Sequence, residues 1–266
     1  MRPFLKWAGG KFRLVPRIKE KLAPGKRLIE PFAGSCAVAL NTHYEQYLLN
    51  DINPDLISLY RILQQEGPPF IDYCRGFFTE GNNSEKHYYK LREQFNAGRD
   101  PRAKAALFLY LNRHGYNGLS RYNASGEFNV PFGRYKKPYF PAEELLFFYH
   151  KFQQAEFTCQ DFAAVMRTAT PADVVYCDPP YAPLNETSNF TSYSAGGFND
   201  GEQKRLAAMA LEIAGRGVKT VISNHCNDFT REIYKDAHLE IFPVQRFISC
   251  IGNNRAAVDE LLAIFG

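Results

Sequence analysis

An apolar, β-branched run that stops abruptly at two prolines constrains this chain more than any other stretch: Val174-Val175-Tyr176-Cys177 leads straight into Asp178-Pro179-Pro180-Tyr181. Proline has no N–H to give to a sheet and holds φ fixed, so the strand must end at Cys177 and the turn beyond it must be stiff. Comparable runs recur. Arg27 to Ile29 leads into Glu30-Pro31-Phe32-Ala33-Gly34-Ser35, followed by a small-residue helical pattern through Leu40. Tyr47-Leu48-Leu49 ends in Asn50-Asp51, and Pro54 then opens an amphipathic helix with Leu56, Ile57, Leu59, Tyr60 and Leu63 at helical spacing. Further strands are expected at Glu156 to Cys159 and Thr220 to Ser223, with an alanine-rich helix over Glu202 to Gly215 before the latter. Leu239 to Val244 and Glu260 to Phe265 read as a closing antiparallel hairpin. Alternating strands and helices predict an α/β fold with a doubly wound, mostly parallel sheet, whose ligands bind at the carboxyl ends of the strands.

Between Pro54 and Ala142 the rhythm changes to helical patterns such as Ala103 to Leu111, followed by a loop rich in Gly, Asn, Tyr and Arg. The division expected is a catalytic part from residues 1–53 and 143–266, with 54–142 inserted as a largely helical second domain. Charge follows the same division. The chain carries 32 Lys+Arg and 28 Asp+Glu, and the insert holds 13 of the former against 8 of the latter, a net +5 that leaves −1 for the remainder. A basic insert in a neutral frame suits a polyanion. No stretch approaches the roughly 20 apolar residues of a membrane span, and no signal-peptide core follows Arg2, so a cytoplasmic chain that avoids the membrane is expected. Six cysteines without a CxxC pair imply free thiols, and the histidines show no metal-ligand spacing, so no metal is expected. In a cytoplasmic chain the Asn189-Phe190-Thr191 glycosylation signal carries no weight.

The tetrad Asp178 to Tyr181 sits where such a sheet presents ligands. An exocyclic amine bound there would meet a carboxylate and the carbonyl of Pro179 as paired acceptors, with the ring of Tyr181 against the base. Accepting both N–H bonds frees a lone pair otherwise delocalised into the ring, and preorganised acceptors stabilise the positive charge of the alkylated amine. A second constellation joins the turn Glu30 to Cys36 with Asp51. The spacing fits a nucleoside-binding loop with an acidic residue about 20 positions on for ribose hydroxyls, without the glycines of a phosphate loop. At the N-terminus, Trp7, Gly9, Gly10 and Lys11 form a third group, where an aromatic face would attract a cationic ligand.

Together these motifs resemble the Dam-type, alpha-group family of DNA adenine-N6 methyltransferases, in motif order and in two long stretches of the insert, Leu109 to Asn123 and Gly126 to Pro138. The resemblance implies a Rossmann-like methyltransferase fold and S-adenosylmethionine as cofactor, bound by Trp7, Lys11, Glu30, Phe32, Gly34, Ser35, Asp51, Asp161, Phe162 and Asp178. It implies that Asp178, Pro179, Pro180 and Tyr181 hold an adenine flipped out of double-stranded DNA at GATC. Lys6 and Arg121 would read guanines, Leu119 and Pro131 would touch other bases, and Tyr116 would fill the vacated stack. Asn117, Arg134, Tyr135, Lys136 and Lys137 would hold the DNA backbone, and Arg113 and Asn123 would also bind DNA. Cys36 stands where many members carry a second loop glycine. A monomer with no obligate protein partner is expected. Two alternatives remain at this level: a methyltransferase for RNA or a protein amide, and a non-catalytic DNA-binding regulator on the same frame.

Overall fold

A computed structural model describes residues 1–182, 198–244 and 258–266. Seven strands form one sheet: β1 (Arg27–Glu30), β2 (Gln46–Asn50), β3 (Glu156–Thr158), β4 (Asp173–Cys177), β5 (Lys219–His225), β6 (His238–Val244) and β7 (Val258–Phe265). Their order is β3-β2-β1-β4-β5-β7-β6. The first five run parallel, whereas β7 lies antiparallel to both β5 and β6. Parallel strands are covered on both faces, which explains why β4 is an unbroken buried run instead of an alternating one. The sheet order turns between β1 and β4, so their carboxyl ends open the crevice where doubly wound sheets bind ligands.

Nine helices occur among the described residues: α1 (Val15–Lys21), α2 (Pro54–Glu66), α3 (Pro68–Arg75), α4 (Glu85–Ala97), α5 (Pro101–His114), α6 (Ala142–Lys151), α7 (Phe162–Arg167), α8 (Asp200–Ala214) and α9 (Asp228–Ile233). Sequence punctuation sets several starts. Asn53 accepts from the backbone N–H of Asp55 and Leu56 at 3.0 and 3.2 Å, and Pro54 follows as the first helical residue, where its missing N–H costs nothing. Asp100 and Pro101 repeat the device for α5. Helices α2, α3 and α4 pack around α5, which is buried from Ala105 to Asn112, and α6 packs on α2 and α3. Their core is continuous with one face of the sheet: Leu28, Leu49, Val174 and Tyr176 belong to the same apolar cluster as Tyr60, Phe108, Phe128 and Phe148. A second cluster under the other face joins Ile29 and Val175 to α7 and α8.

The expected strands appear within a residue or two of their predicted bounds, and the closing hairpin forms, with β7 as its inner strand. One element differs. The small-residue pattern after β1 does not become an α-helix but a turn leading to a single 3-10 turn at Ala39–Asn41. Gly34 and Cys36 both take left-handed φ, +44° and +57°, which breaks helical continuity. Residues 115–138 run as a long loop held by two isolated bridges, Gly115 to Phe132 and Tyr122 to Phe128. Cys36, Cys74 and Cys177 are buried free thiols; Cys159 and Cys226 are free and partly exposed, while Cys250 and the Asn189-Phe190-Thr191 signal lie outside the described residues. No helix among those described is long and apolar enough to cross a membrane.

Candidate active site

Asp178 leaves the end of β4 with one carboxylate oxygen, Oδ1, between two donors. Lys11 Nζ lies 3.0 Å away and Ser223 Oγ, on neighbouring β5, 3.1 Å away. The carboxylate is ion-paired, but 23 % of its side chain stays exposed, so it lines the crevice and is not sealed in the interior. Burial raises its pKa above the ordinary carboxylate value, opposed by Lys11 and the Ser223 hydroxyl. The same lysine donates to the carbonyl of Gly9 at 2.6 Å and sits 4.3 Å from the centre of the Tyr181 ring. Tyr181 donates from its hydroxyl to Glu260 Oε2 on β7 at 3.1 Å and meets the edge of His225.

The turn itself is pinned from outside. Gln203 Nε2 on α8 donates to the Pro180 carbonyl at 2.7 Å, the N–H of Ala182 donates to Asn224 Oδ1 at 3.1 Å, and His225 Nδ1 meets the Ala182 carbonyl at 2.9 Å. The Pro180 carbonyl is therefore engaged. Among the described residues no donor is bonded to that of Pro179. A carboxylate, a carbonyl that no donor among the described residues takes, and an aromatic ring thus stand on one rigid turn.

The turn after β1 lies beside it. Asp51, closing β2, accepts from the Gly34 N–H at 3.0 Å with one oxygen and from the Asn53 N–H at 2.9 Å with the other. The Trp7 indole lies directly on Gly34: a Cβ there would fall 2.7 Å from its Nε1, so both contact and φ require glycine. Tyr60, from α2, donates its hydroxyl to the Gly34 carbonyl. Phe32 packs against Phe162 and Phe198, at 5.2 and 5.4 Å between ring centres. These residues come together as expected. Glu30 and Asp161 are placed differently. Glu30 is buried, takes the Ala39 N–H at 2.7 Å, and has its pKa raised to about 8 by burial, with the Asp178 charge adding to the rise. It secures the turn from beneath. Asp161 caps α7 by accepting from Ala163 N–H at 3.0 Å, and pairs with Arg205 at 3.0 Å, which holds its pKa below the usual value. Ser35 is buried in the same turn.

The 115–138 loop docks on the N-terminal segment. Asn112 accepts from the Lys6 N–H at 2.9 Å and donates to the Lys6 carbonyl at 2.7 Å, so its side chain mimics a strand partner. The Lys6 ammonium rests 3.9 Å over the Tyr135 ring, and burial, then the nearby Arg113 charge, lowers its pKa. Tyr116 is 52 % exposed, a large aromatic ring left half open to solvent. Asn117 and Arg134, both exposed, hold left-handed φ of +53° and +54°, and the Asn117 N–H donates to the Tyr135 hydroxyl at 3.0 Å. Arg121 and Pro131 are exposed and Leu119 half-buried on this surface. Arg113 and Asn123 are occupied internally. Arg113 donates to the Tyr139 carbonyl at 3.0 Å, and Asn123 Oδ1 accepts the Ser125 and Glu127 N–H groups at 3.0 and 2.9 Å.

Ser223, Asn224, Glu260, Gln203, Tyr60 and Asn112 are the functional neighbours that reading the sequence missed. The available signal was the polar run Ser223-Asn224-His225 at the end of a buried strand.

Residues 7–248 match the model of the D12 class N6 adenine-specific DNA methyltransferase family. The chain belongs to this family. Among its relatives, the DNA adenine methylase of Escherichia coli strain K12 is 51 % identical over 264 residues, covering 99 % of this chain and 95 % of that protein. The DNA adenine methylases of Haemophilus influenzae, 49 % identical over 269 residues (100 % and 94 % covered), and of Vibrio cholerae El Tor, 48 % over 265 (99 % and 96 %), extend the likeness along the whole chain. Family membership makes this chain an adenine-specific DNA methyltransferase, and it sets aside the regulator, RNA and protein-amide readings.

Proposed function

We propose that the chain transfers a methyl group from S-adenosylmethionine to adenine N6 in double-stranded DNA, within GATC, after the base has swung out of the helix. The observation that carries this reading is the rigid turn on which the Asp178 carboxylate and the Pro179 carbonyl stand beside Tyr181. Those two acceptors would take both N–H bonds of the amine and leave its lone pair directed outward, while Tyr181 stacks on the ring. The positive charge that develops on nitrogen would be neutralised by Asp178, which would also take up its proton. Residues that fit the cofactor stand alongside. Asp51 retains lone pairs for ribose hydroxyls after accepting one backbone N–H on each oxygen; Phe32 and Phe162 offer aromatic packing, and Trp7 closes over the glycine turn. When bound, S-adenosylmethionine supplies a methyl group activated on a sulfonium.

In this reading residues 54–142 serve as the target-recognition part. Lys6 and Arg121 read guanines, Leu119 and Pro131 touch neighbouring bases, and exposed Tyr116 fills the gap left by the adenine. Asn117, Arg134, Tyr135, Lys136 and Lys137 hold phosphates, whereas Arg113 and Asn123 act by shaping the loop. The test is to map methylated adenines after treating DNA of mixed sequence with labelled S-adenosylmethionine. Marks confined to GATC are expected; marks outside it would overturn the roles of Lys6 and Arg121.

A further inference from the structure

We propose that Ser223, backed by Tyr176, is a positioning residue that fixes the Asp178 carboxylate in its working orientation through a directed chain of hydroxyl hydrogen bonds. The proposal rests on the reading of Asp178 as the residue that accepts the adenine amine. Ser223 is buried on β5, and its Oγ stands 3.1 Å from Asp178 Oδ1, 3.4 Å from the Cys177 carbonyl and 3.0 Å from the Tyr176 hydroxyl. Proton counting sets the direction. A serine hydroxyl has one proton, and both the ionised carboxylate and the Cys177 carbonyl are pure acceptors. Ser223 gives its proton to the nearer and charged acceptor, Asp178, so the hydrogen of the third contact must come from Tyr176. The chain therefore runs from Tyr176 to Ser223 to Asp178, each link polarised by the next in a site largely screened from water.

Tyr176 suits the donor end because burial, and next the charge of Asp178, holds its pKa well above the ordinary value. The chain also fixes which oxygen has no donor among the described residues. Lys11 and Ser223 both converge on Oδ1, leaving Oδ2 for an incoming amine hydrogen. The other groups facing Asp178 are Glu30 on β1, Cys177 beside it on β4, and Tyr181 on its own turn. Of the groups around it, Lys11 and Ser223 favour its ionised form.

Single-turnover methyl transfer measured against pH tests this in Ser223→Ala, Ser223→Thr and Tyr176→Phe, with Asp178→Asn as the reference. Ser223→Ala should lower the rate at neutral pH about tenfold, the effect of losing one hydrogen bond to a charged group. Without that donor the carboxylate binds its proton more readily, so the acid limb of the profile should move to higher pH. Ser223→Thr should restore the rate and the limb, and Tyr176→Phe should shift the limb in the same direction by less. The affinity for S-adenosylmethionine, measured by calorimetry, should stay unchanged. An acid limb unmoved in Ser223→Ala overturns the proposal, as does a threonine variant no better than alanine. A fully active Asp178→Asn instead overturns the reading beneath it, so the two failures are distinguishable.

Discussion

Asp178→Asn removes a charge from a pair that is almost dry on one side, which allows its cost to be separated from its effect on chemistry. The Lys11 and Asp178 side chains are 7 % and 23 % exposed, with Nζ and Oδ1 3.0 Å apart. Removing one partner of a buried ion pair costs about 3 to 5 kcal/mol, because the other charge stays buried and uncompensated. Here the lysine keeps the Gly9 carbonyl and the face of Tyr181, and Asp178 meets solvent, so the low end of that range, about 3 kcal/mol, applies. For a chain of this size each kcal/mol is worth about 2 to 4 °C in Tm, so a fall of about 6 to 12 °C is expected. Adding Lys11→Met removes the orphaned charge and should recover at least half of that loss, while methyl transfer stays undetectable. Calorimetric melting of the parent, both single variants and the double variant gives the coupling directly. If the double variant loses the sum of the two single losses, the pair is uncoupled and the argument fails. If Asp178→Asn transfers methyl at the parent rate, the catalytic role fails separately.

Two further outcomes follow from groups outside the reacting centre. His114 is buried, stacked on Tyr110 and bonded through Nδ1 to the Tyr110 carbonyl, and burial lowers its pKa to about 4. The unfolded chain then binds a proton that the fold refuses. The His114 contribution to stability should therefore be level above about pH 6.5 and fall on the order of 3 kcal/mol as pH drops to about 4, set against a Glu30 contribution of opposite sign, because a carboxyl raised to about 8 gives stability that is lost as pH climbs toward 8. Urea unfolding from pH 7 to pH 4 should show this amount as the difference in slope between the parent and His114→Gln; an equal slope in both would contradict the assignment. Lys136 and Lys137 are exposed beside the recognition loop. If they hold phosphates, replacing each by Gln should reduce the slope of log affinity against log salt by about 0.9, measured by anisotropy on a GATC duplex, and an unchanged slope would remove them from the interface.

The strands were legible because a buried parallel strand and a proline stop both leave local marks, and β4 with its double proline bears both. The turn after β1 was misread for an equally local reason. Ala, Val and Leu from Ala37 to Leu40 suit a helix, but the φ of Gly34 and Cys36, and the Glu30 carboxyl reaching Ala39, are set by contacts that sequence neighbours do not reveal. At the site, residues in motifs could be named in advance: Asp178, Tyr181, Lys11, Trp7, Gly34 and Asp51. Those supplied singly by distant elements could not. Glu260 reaches Tyr181 only because β7 threads between β5 and β6, and Gln203 reaches Pro180 only because α8 returns over the sheet. Asn112 lies inside an apolar helix whose pattern gives no hint that its amide clasps the backbone of Lys6.

That clasp anchors one end of the chain's opening stretch. Lys6 is moored to α5, Trp7 to the glycine turn and Lys11 to the Asp178 carboxylate. Five residues of fully stretched backbone reach at most about 18 Å. The three moorings therefore lie on one short span folded by the Trp7–Gly10 turn, so if Lys6 reads a base, only five residues of chain separate that contact from Lys11.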